Sequence, residues 1–112
     1  MTELQPNQDI QAEQLKAILD NEPDRIVLVD VREADERKIS VLPGDTHIPL
    51  GDLQNRLEDL DQDAEIVIYC RTGGRSGQAA GFLRATGFKN VRNLLGGINN
   101  WAAKIDPTLP QY

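Results

Sequence analysis

The sequence predicts an α/β fold: an open, mostly parallel sheet of about five strands with helices on both faces. Three observations lead there. The runs "RIVLVDV" (25–31) and "AEIVIYC" (64–70) are too apolar for strands with one wet face, and they read as buried parallel strands. Stretches with apolar residues at helical spacing alternate with the strands. The strands also lie too far apart along the chain for hairpins, so right-handed crossovers are expected to join them.

Taken in order, residues 1–9 are polar and are expected to be mobile, ahead of a single domain over 10–104. Ile10 begins a short strand. "AEQLKAILD" (12–20) places Leu15, Ile18 and Leu19 on one face of a helix. "NEPD" (21–24) is a turn before the first buried strand. "READERK" (32–38) predicts a short helix, "VLPGD" (41–45) a turn, and "THIPL" (46–50) a short extended piece. Leu50, Leu53, Leu57 and Leu60 recur at helical spacing and predict an amphipathic helix over 50–60. After the second buried strand, residues 76–86 form a helix capped by Gly87. "NVRNL" (90–94) is a strand, "LGG" (95–97) a turn, and 98–104 a final short helix. The prolines of "DPTLPQY" predict an extended tail over 105–112.

Composition narrows the function. The chain has 112 residues, 39% hydrophobic and 27% charged, which suits one globular domain. Aromatic residues make up only 4%, so the core must rest on Val, Ile, Leu and Ala. A net charge of −6 argues against nucleic-acid binding, which needs a cationic surface, and gives no support for docking on anionic membranes. One cysteine and one histidine cannot build an internal disulfide or a multi-cysteine zinc site, so neither metal nor cofactor is expected. The sequence shows no signal-peptide pattern and no apolar run near the roughly 20 residues that span a bilayer. A free thiol persists in a reducing compartment, and a cytoplasmic location is expected.

Ligands of open α/β sheets bind at the carboxyl ends of the strands. Cys70 ends a central strand and is followed by Arg71, Thr72, Gly73, Gly74, Arg75 and Ser76. The thiolate is the nucleophile, and a free cysteine titrates near about 8.5. Three features here favour the anion. Arg71 and Arg75 bring positive charge. Gly73 and Gly74 can take positive φ and curl the N–H groups inward as an anion nest. The helix from about Ser76 points its N-terminus at the loop. Arginines resist burial, so this is a poor setting for an inert core cysteine, and Cys70 is read as reactive.

Other residues take supporting parts. Asp30 and Arg32 in "DVRE" end the strand expected beside that of Cys70, and they can brace the loop or cap the next segment. His47 is read as a packed or surface residue. Gly77 and Gly81 cost a helix about 1 kcal/mol each against Ala, which close approach of helix to sheet would offset. Gly96-Gly97 reads as a turn, with Trp101 as a core anchor. "EDLDQDAE" (58–65) reads as a solvated acidic face.

The stretch "YCRTGGRSGQAAGFLRATGFKNVRNLLGGINNWA" resembles the active-site half of the rhodanese homology domain. "IVLVDVREADE" and "PGDTHIPLGDL" resemble its N-terminal half, so the likeness covers about residues 10 to 104. The closing "IDPTLPQY" is similar to the end of the rhodanese domains fused to E1-like adenylyltransferase/sulfurtransferases of molybdopterin and thiamine biosynthesis. The chain departs from the family in having Ser40-Val41 where Gly-His often precedes Ile-Pro-Gly. The resemblance implies a thiosulfate sulfurtransferase, with sulfane sulfur carried on Cys70 as a persulfide. It further implies that the N–H groups of Arg71 through Ser76 cradle the outer sulfur, that Arg75 closes the loop and that Arg71 borders its mouth. The implied partners are a small donor such as thiosulfate and a protein that gives or receives sulfur in a relay. Related phosphatases and arsenate reductases have a C-x5-R loop, wide enough for a tetrahedral oxyanion. Cys70 and Arg75 make C-x4-R, which suits one sulfur atom. The alternative is a rhodanese-like module that binds partners without catalysis.

Overall fold

A computed structural model describes residues 3–112. Helix α1 (Ala12–Asn21) precedes strand β1 (Ile26–Asp30), and a two-residue strand β2 (Thr46–His47) follows. Strand β3 (Glu65–Tyr69), helix α2 (Gly74–Ala85), strand β4 (Asn90–Asn93) and helix α3 (Gly97–Lys104) complete the domain. The four strands run parallel in the order β2-β1-β3-β4. The expected strand at Ile10 is a single parallel bridge to Leu94, just beyond β4.

Alternation along the central strands separates two cores, because successive side chains point to opposite faces. Ile66 and Ile68 of β3 join Val29 of β1 against Ala79, Ala80 and Leu83 of α2. Val67 and Tyr69 join Leu28 against Leu15 and Ile18 of α1 and against Ile98 and Trp101 of α3. Both faces of the sheet are thus covered, as the runs without alternation predicted. The order of the strands puts the end of β3, and with it Cys70, between β1 and β4.

The expected helix over 50–60 is instead two 3-10 segments, Leu50–Asn55 and Leu57–Asp59. Its leucines still point inward, with Leu53 and Leu60 buried and Leu50 and Leu57 packed beside them. Gly51, Asp52 and Asn55 are weak helix formers, so the apolar stripe is satisfied by tighter, shorter turns. The helix expected over 32–38 shrinks to one 3-10 turn, Glu36–Lys38. Gly87 closes α2 with φ +105°: the Gly87 N–H donates to the Arg84 carbonyl and the Phe88 N–H to that of Leu83, at 3.3 and 3.1 Å. That pairing is a Schellman cap.

Of the lead-in 1–9, residues 1–2 lie outside the described residues. The carbonyls of Gln5 and Gln8 accept from buried Arg92 at 2.6 and 2.9 Å, and Asp9 accepts from the Asn93 N–H at 3.0 Å. The segment 105–112 turns at Asp106, where the Leu109 N–H bonds the Asp106 carbonyl at 3.1 Å. It then brings Tyr112 back to the domain.

Candidate active site

Helix α2 begins at Gly74, two residues earlier than expected, and its first N–H-to-carbonyl bond runs from Gly77 to Gly73 at 3.0 Å. The N–H groups of Gly74, Arg75 and Ser76 therefore have no acceptor within the helix. Gly73, at φ +106°, makes the reversal that turns the strand end into the helix; Gly74 needs no positive φ. The loop wraps tightly around the Cys70 Sγ. The Gly73 N–H donates to it at 3.1 Å, the Ser76 N–H at 3.4 Å, and the Ser76 hydroxyl lies at 3.3 Å. Cys70 is 1% exposed, whereas Arg71, Thr72 and Gly74 around it are exposed. Its sulfur sits at the floor of its own loop.

Burial pushes the Cys70 thiol up, but the bonds from Ser76, Gly73 and Thr72 outweigh it and leave the thiol below its ordinary value. The donors that favour the anion are thus chiefly the loop N–H groups expected from the sequence, joined by the Ser76 hydroxyl, which was not, while the arginines are not among the largest causes. The Ser76 hydroxyl has one hydrogen and two claimants. Asn93 Oδ1 stands 2.5 Å away, nearer than the sulfur. The same Asn93 amide donates to the Gly73 carbonyl at 3.1 Å and so holds the reversal in place.

The loop is held from beneath as well. The Ile98 and Asn99 N–H groups, in the first turn of α3, donate to the carbonyls of Cys70 and Arg71 at 2.9 and 3.1 Å. Gly97 permits this approach. A Cβ there would stand 2.4 Å from the Arg71 carbonyl oxygen, and its φ is +62°. Gly97, read from sequence as part of a turn, is a buttress of the cysteine loop. Gly77 has the expected close neighbour, Asn93 Nδ2, at 3.3 Å from a built Cβ. Gly81 does not: nothing stands within 4 Å, so close packing does not explain it.

The outer side of the loop is charged. Arg75 makes a two-pronged bridge to Glu36 at 2.6 and 2.8 Å. That bridge holds the Glu36 carboxyl down at about 2. Asp30 ends β1 and Arg32 follows two residues beyond, a fully buried pair with Arg32 Nε and Nη2 each 3.0 Å from the carboxylate. Arg32 Nη2 also donates to the Ser40 carbonyl at 2.7 Å, and its Nη1 donates to the Tyr112 hydroxyl at 2.8 Å. Arg37 links Asp30 to Asp45, and Asp45 accepts from the Tyr69 hydroxyl at 2.6 Å. His47 Nε2 bonds the Arg32 carbonyl at 2.7 Å, the structural part expected of it. Glu36, Asn93 and Tyr112 went unnoticed in the sequence, because no local pattern joins them to the cysteine.

A rhodanese-like domain model matches residues 11–104, most of the chain and all of this geometry except Tyr112. The chain belongs to the rhodanese-like family. Among rhodanese-like relatives, the putative sulfurtransferase YtwF of Bacillus subtilis is 38% identical over 84 residues, covering 75% of this chain and 81% of that protein. The adenylyltransferase and sulfurtransferase MOCS3 of Arabidopsis thaliana is 31% identical over 119 residues, covering 92% of this chain and 25% of that protein. The human single-domain sulfurtransferase TSTD1 superposes with a TM-score of 0.79 at 25% identity, covering 86% of this chain and 96% of that one. The chain spans about half or less of the length of several curated relatives that it matches. No helix among the described residues is long and apolar enough to cross a membrane.

Proposed function

We propose that this rhodanese-like domain is a sulfurtransferase in which Cys70 carries a sulfane sulfur from a donor to an acceptor. The observation that supports it most is the convergence of the Gly73 and Ser76 donors on one sulfur atom. Such a ring stabilises the thiolate before reaction and the terminal persulfide anion afterwards, with backbone dipoles that the loop already holds in place. With thiosulfate as donor, the Cys70 thiolate attacks the outer sulfur. A bond forms from Sγ to that sulfur, the sulfur–sulfur bond of thiosulfate breaks, and sulfite leaves with the electron pair. An acceptor nucleophile then takes the outer sulfur and returns the thiolate. The Thr72 N–H adds to the ring, and Arg71, Gly74 and Arg75 form its rim. Asp30 and Arg32 brace the neighbouring strand end. The likeness to MOCS3 and to sulfurtransferases supports a place in a sulfur relay, with a persulfide-bearing protein as donor or a thiol-bearing protein as acceptor. A thiol that must stay reduced suits the cytoplasm.

The experiment is intact-mass measurement after incubation with thiosulfate, and separately with a desulfurase that bears a persulfide. The chain gains one sulfur atom, cyanide removes it as thiocyanate, and Cys70→Ser gains none. No gain from either donor between about pH 6 and 9, where the thiolate becomes populated, leaves a partner-binding module as the reading.

A further inference from the structure

The guanidinium of Arg71 lies over the ring of Tyr112, 5.2 Å from its centroid. Asn99 fixes that ring by clamping the Tyr112 backbone at both its N–H and its carbonyl, at 3.2 and 2.8 Å. The Tyr112 hydroxyl donates to Glu36 at 2.6 Å, and Glu36 holds Arg75. One side chain from the segment 105–112 therefore reaches both arginines of the cysteine loop, Arg71 by its face and Arg75 through a carboxylate.

Charge singles out one of these contacts. Around the cleft stand Arg32, Arg37, Arg71 and Arg75, facing Asp30, Asp45 and Glu36. Arg32 and Arg37 share Asp30, Arg37 also holds Asp45, and Arg75 holds Glu36. Arg71 alone of the four has no carboxylate partner among the described residues. It is also exposed, and it directly follows the nucleophile. A guanidinium on an aromatic face keeps its full charge and all its outward N–H donors, while losing much of its freedom to swing away.

We infer that Arg71 and Tyr112 form the anion-recognition element of this site, with Tyr112 a positioning residue that aims Arg71 at the negative group of the sulfur donor. This rests on the sulfur-transfer reading and names the donor class: a small molecule or peptide terminus with an anionic group next to the transferable sulfur. For thiosulfate that group is the sulfonate, which leaves as sulfite. Tyr112 never touches the reacting atoms. Its effect falls on the affinity for charged reagents rather than on the thiolate.

Two alkylating reagents isolate that effect from sulfur chemistry. The Cys70 thiolate attacks the methylene carbon of iodoacetate or of iodoacetamide and displaces iodide from each, and only the first reagent is an anion. The ratio of their rate constants at Cys70 reads the anion preference alone. Tyr112→Ala lowers that ratio roughly two- to fivefold, the range of an exposed cation–π contact. Arg71→Ala lowers it at least as far, and adding Tyr112→Ala to Arg71→Ala lowers it no further. Tyr112→Phe keeps the ring and the Asn99 clamp and restores the wild-type ratio. The KM for thiosulfate rises in step, with kcat little changed. An unchanged ratio in Tyr112→Ala, or additive losses in the double variant, overturns the inference. A Phe variant that behaves like Ala assigns the effect to the hydroxyl network and overturns the stacking account. Failure of thiosulfate and desulfurase to load Cys70, with the ratios shifting as stated, sinks the sulfur-transfer reading and strips the pair of its donor.

Discussion

The inner and outer sides of the cysteine loop are built from different materials. Inside, the sulfur meets neutral donors, the N–H groups of Thr72, Gly73 and Ser76 and the Ser76 hydroxyl, positioned by Asn93 and by the first turn of α3. Outside, Arg71, Arg75, Glu36 and Tyr112 form a rim of charged and aromatic side chains, partly open to solvent. The difference teaches a division of labour. The stability of the anion depends on short backbone contacts that salt screens poorly. Selection among incoming molecules depends on exposed charges that salt screens well.

The largest expected effect breaks the inner side. Gly97→Ala forces a Cβ into the carbonyls that α3 holds and places a side chain at positive φ. The cost is about 2–3 kcal/mol, visible as a fall in Tm of roughly 10 °C, and sulfur loading is lost with the loop geometry. Next comes Ser76→Ala, which removes the hydroxyl beside the sulfur. The midpoint of the alkylation rate against pH moves up, and the rate with iodoacetamide near neutral pH drops about tenfold. Arg75→Ala moves the midpoint in the same direction by less, since its guanidinium is committed first to Glu36. A larger shift for Arg75 than for Ser76 would reverse the roles assigned to the two sides.

The rim is tested by acid. Glu36 titrates at about 2 in the fold against an ordinary value of 4.5. A carboxyl held down in this way stabilises the fold above its ordinary value, and that contribution is lost as pH falls from 4.5 toward about 2. Denaturant unfolding of the wild type and of Glu36→Gln across that window reads the sign. The wild type is the more stable above it, and the two converge at its lower end. The smallest effect comes from Gly81→Ala, remote from both sides. With open space and an exposed helical position, it stabilises α2 by about 1 kcal/mol and raises Tm by about 4 °C, with sulfur loading unchanged.

These regions also differ in how far the sequence reveals them. The buried strands and the loop from Cys70 to Ser76 are contiguous, and their residue types alone imply a strand end, a reversal and a helix start. Glu36 sits 39 residues from Arg75 and Tyr112 76 residues from Glu36, joined only by the parallel order of the sheet. Nothing in "READERK" separates the glutamate that reaches the loop from its neighbours that face solvent. Asn93 looked like one more polar residue at a strand end, yet its amide serves both Gly73 and Ser76. Gly97 left a trace, since a second consecutive glycine exceeds what a turn requires. Only the docked carbonyls explain it. The leucines of 50–60 carried a correct burial signal and a wrong helix type, because period alone does not weigh Gly51 and Asp52.

The lone hydrogen of Ser76 has a bearing on turnover. While the sulfur is protonated, the hydroxyl is free to serve Asn93. Once the sulfur ionises, rotation about a single carbon–oxygen bond redirects it. The change of charge at the sulfur is thereby met by one light rotor, while the N–H groups of Gly73 and Ser76 already face it.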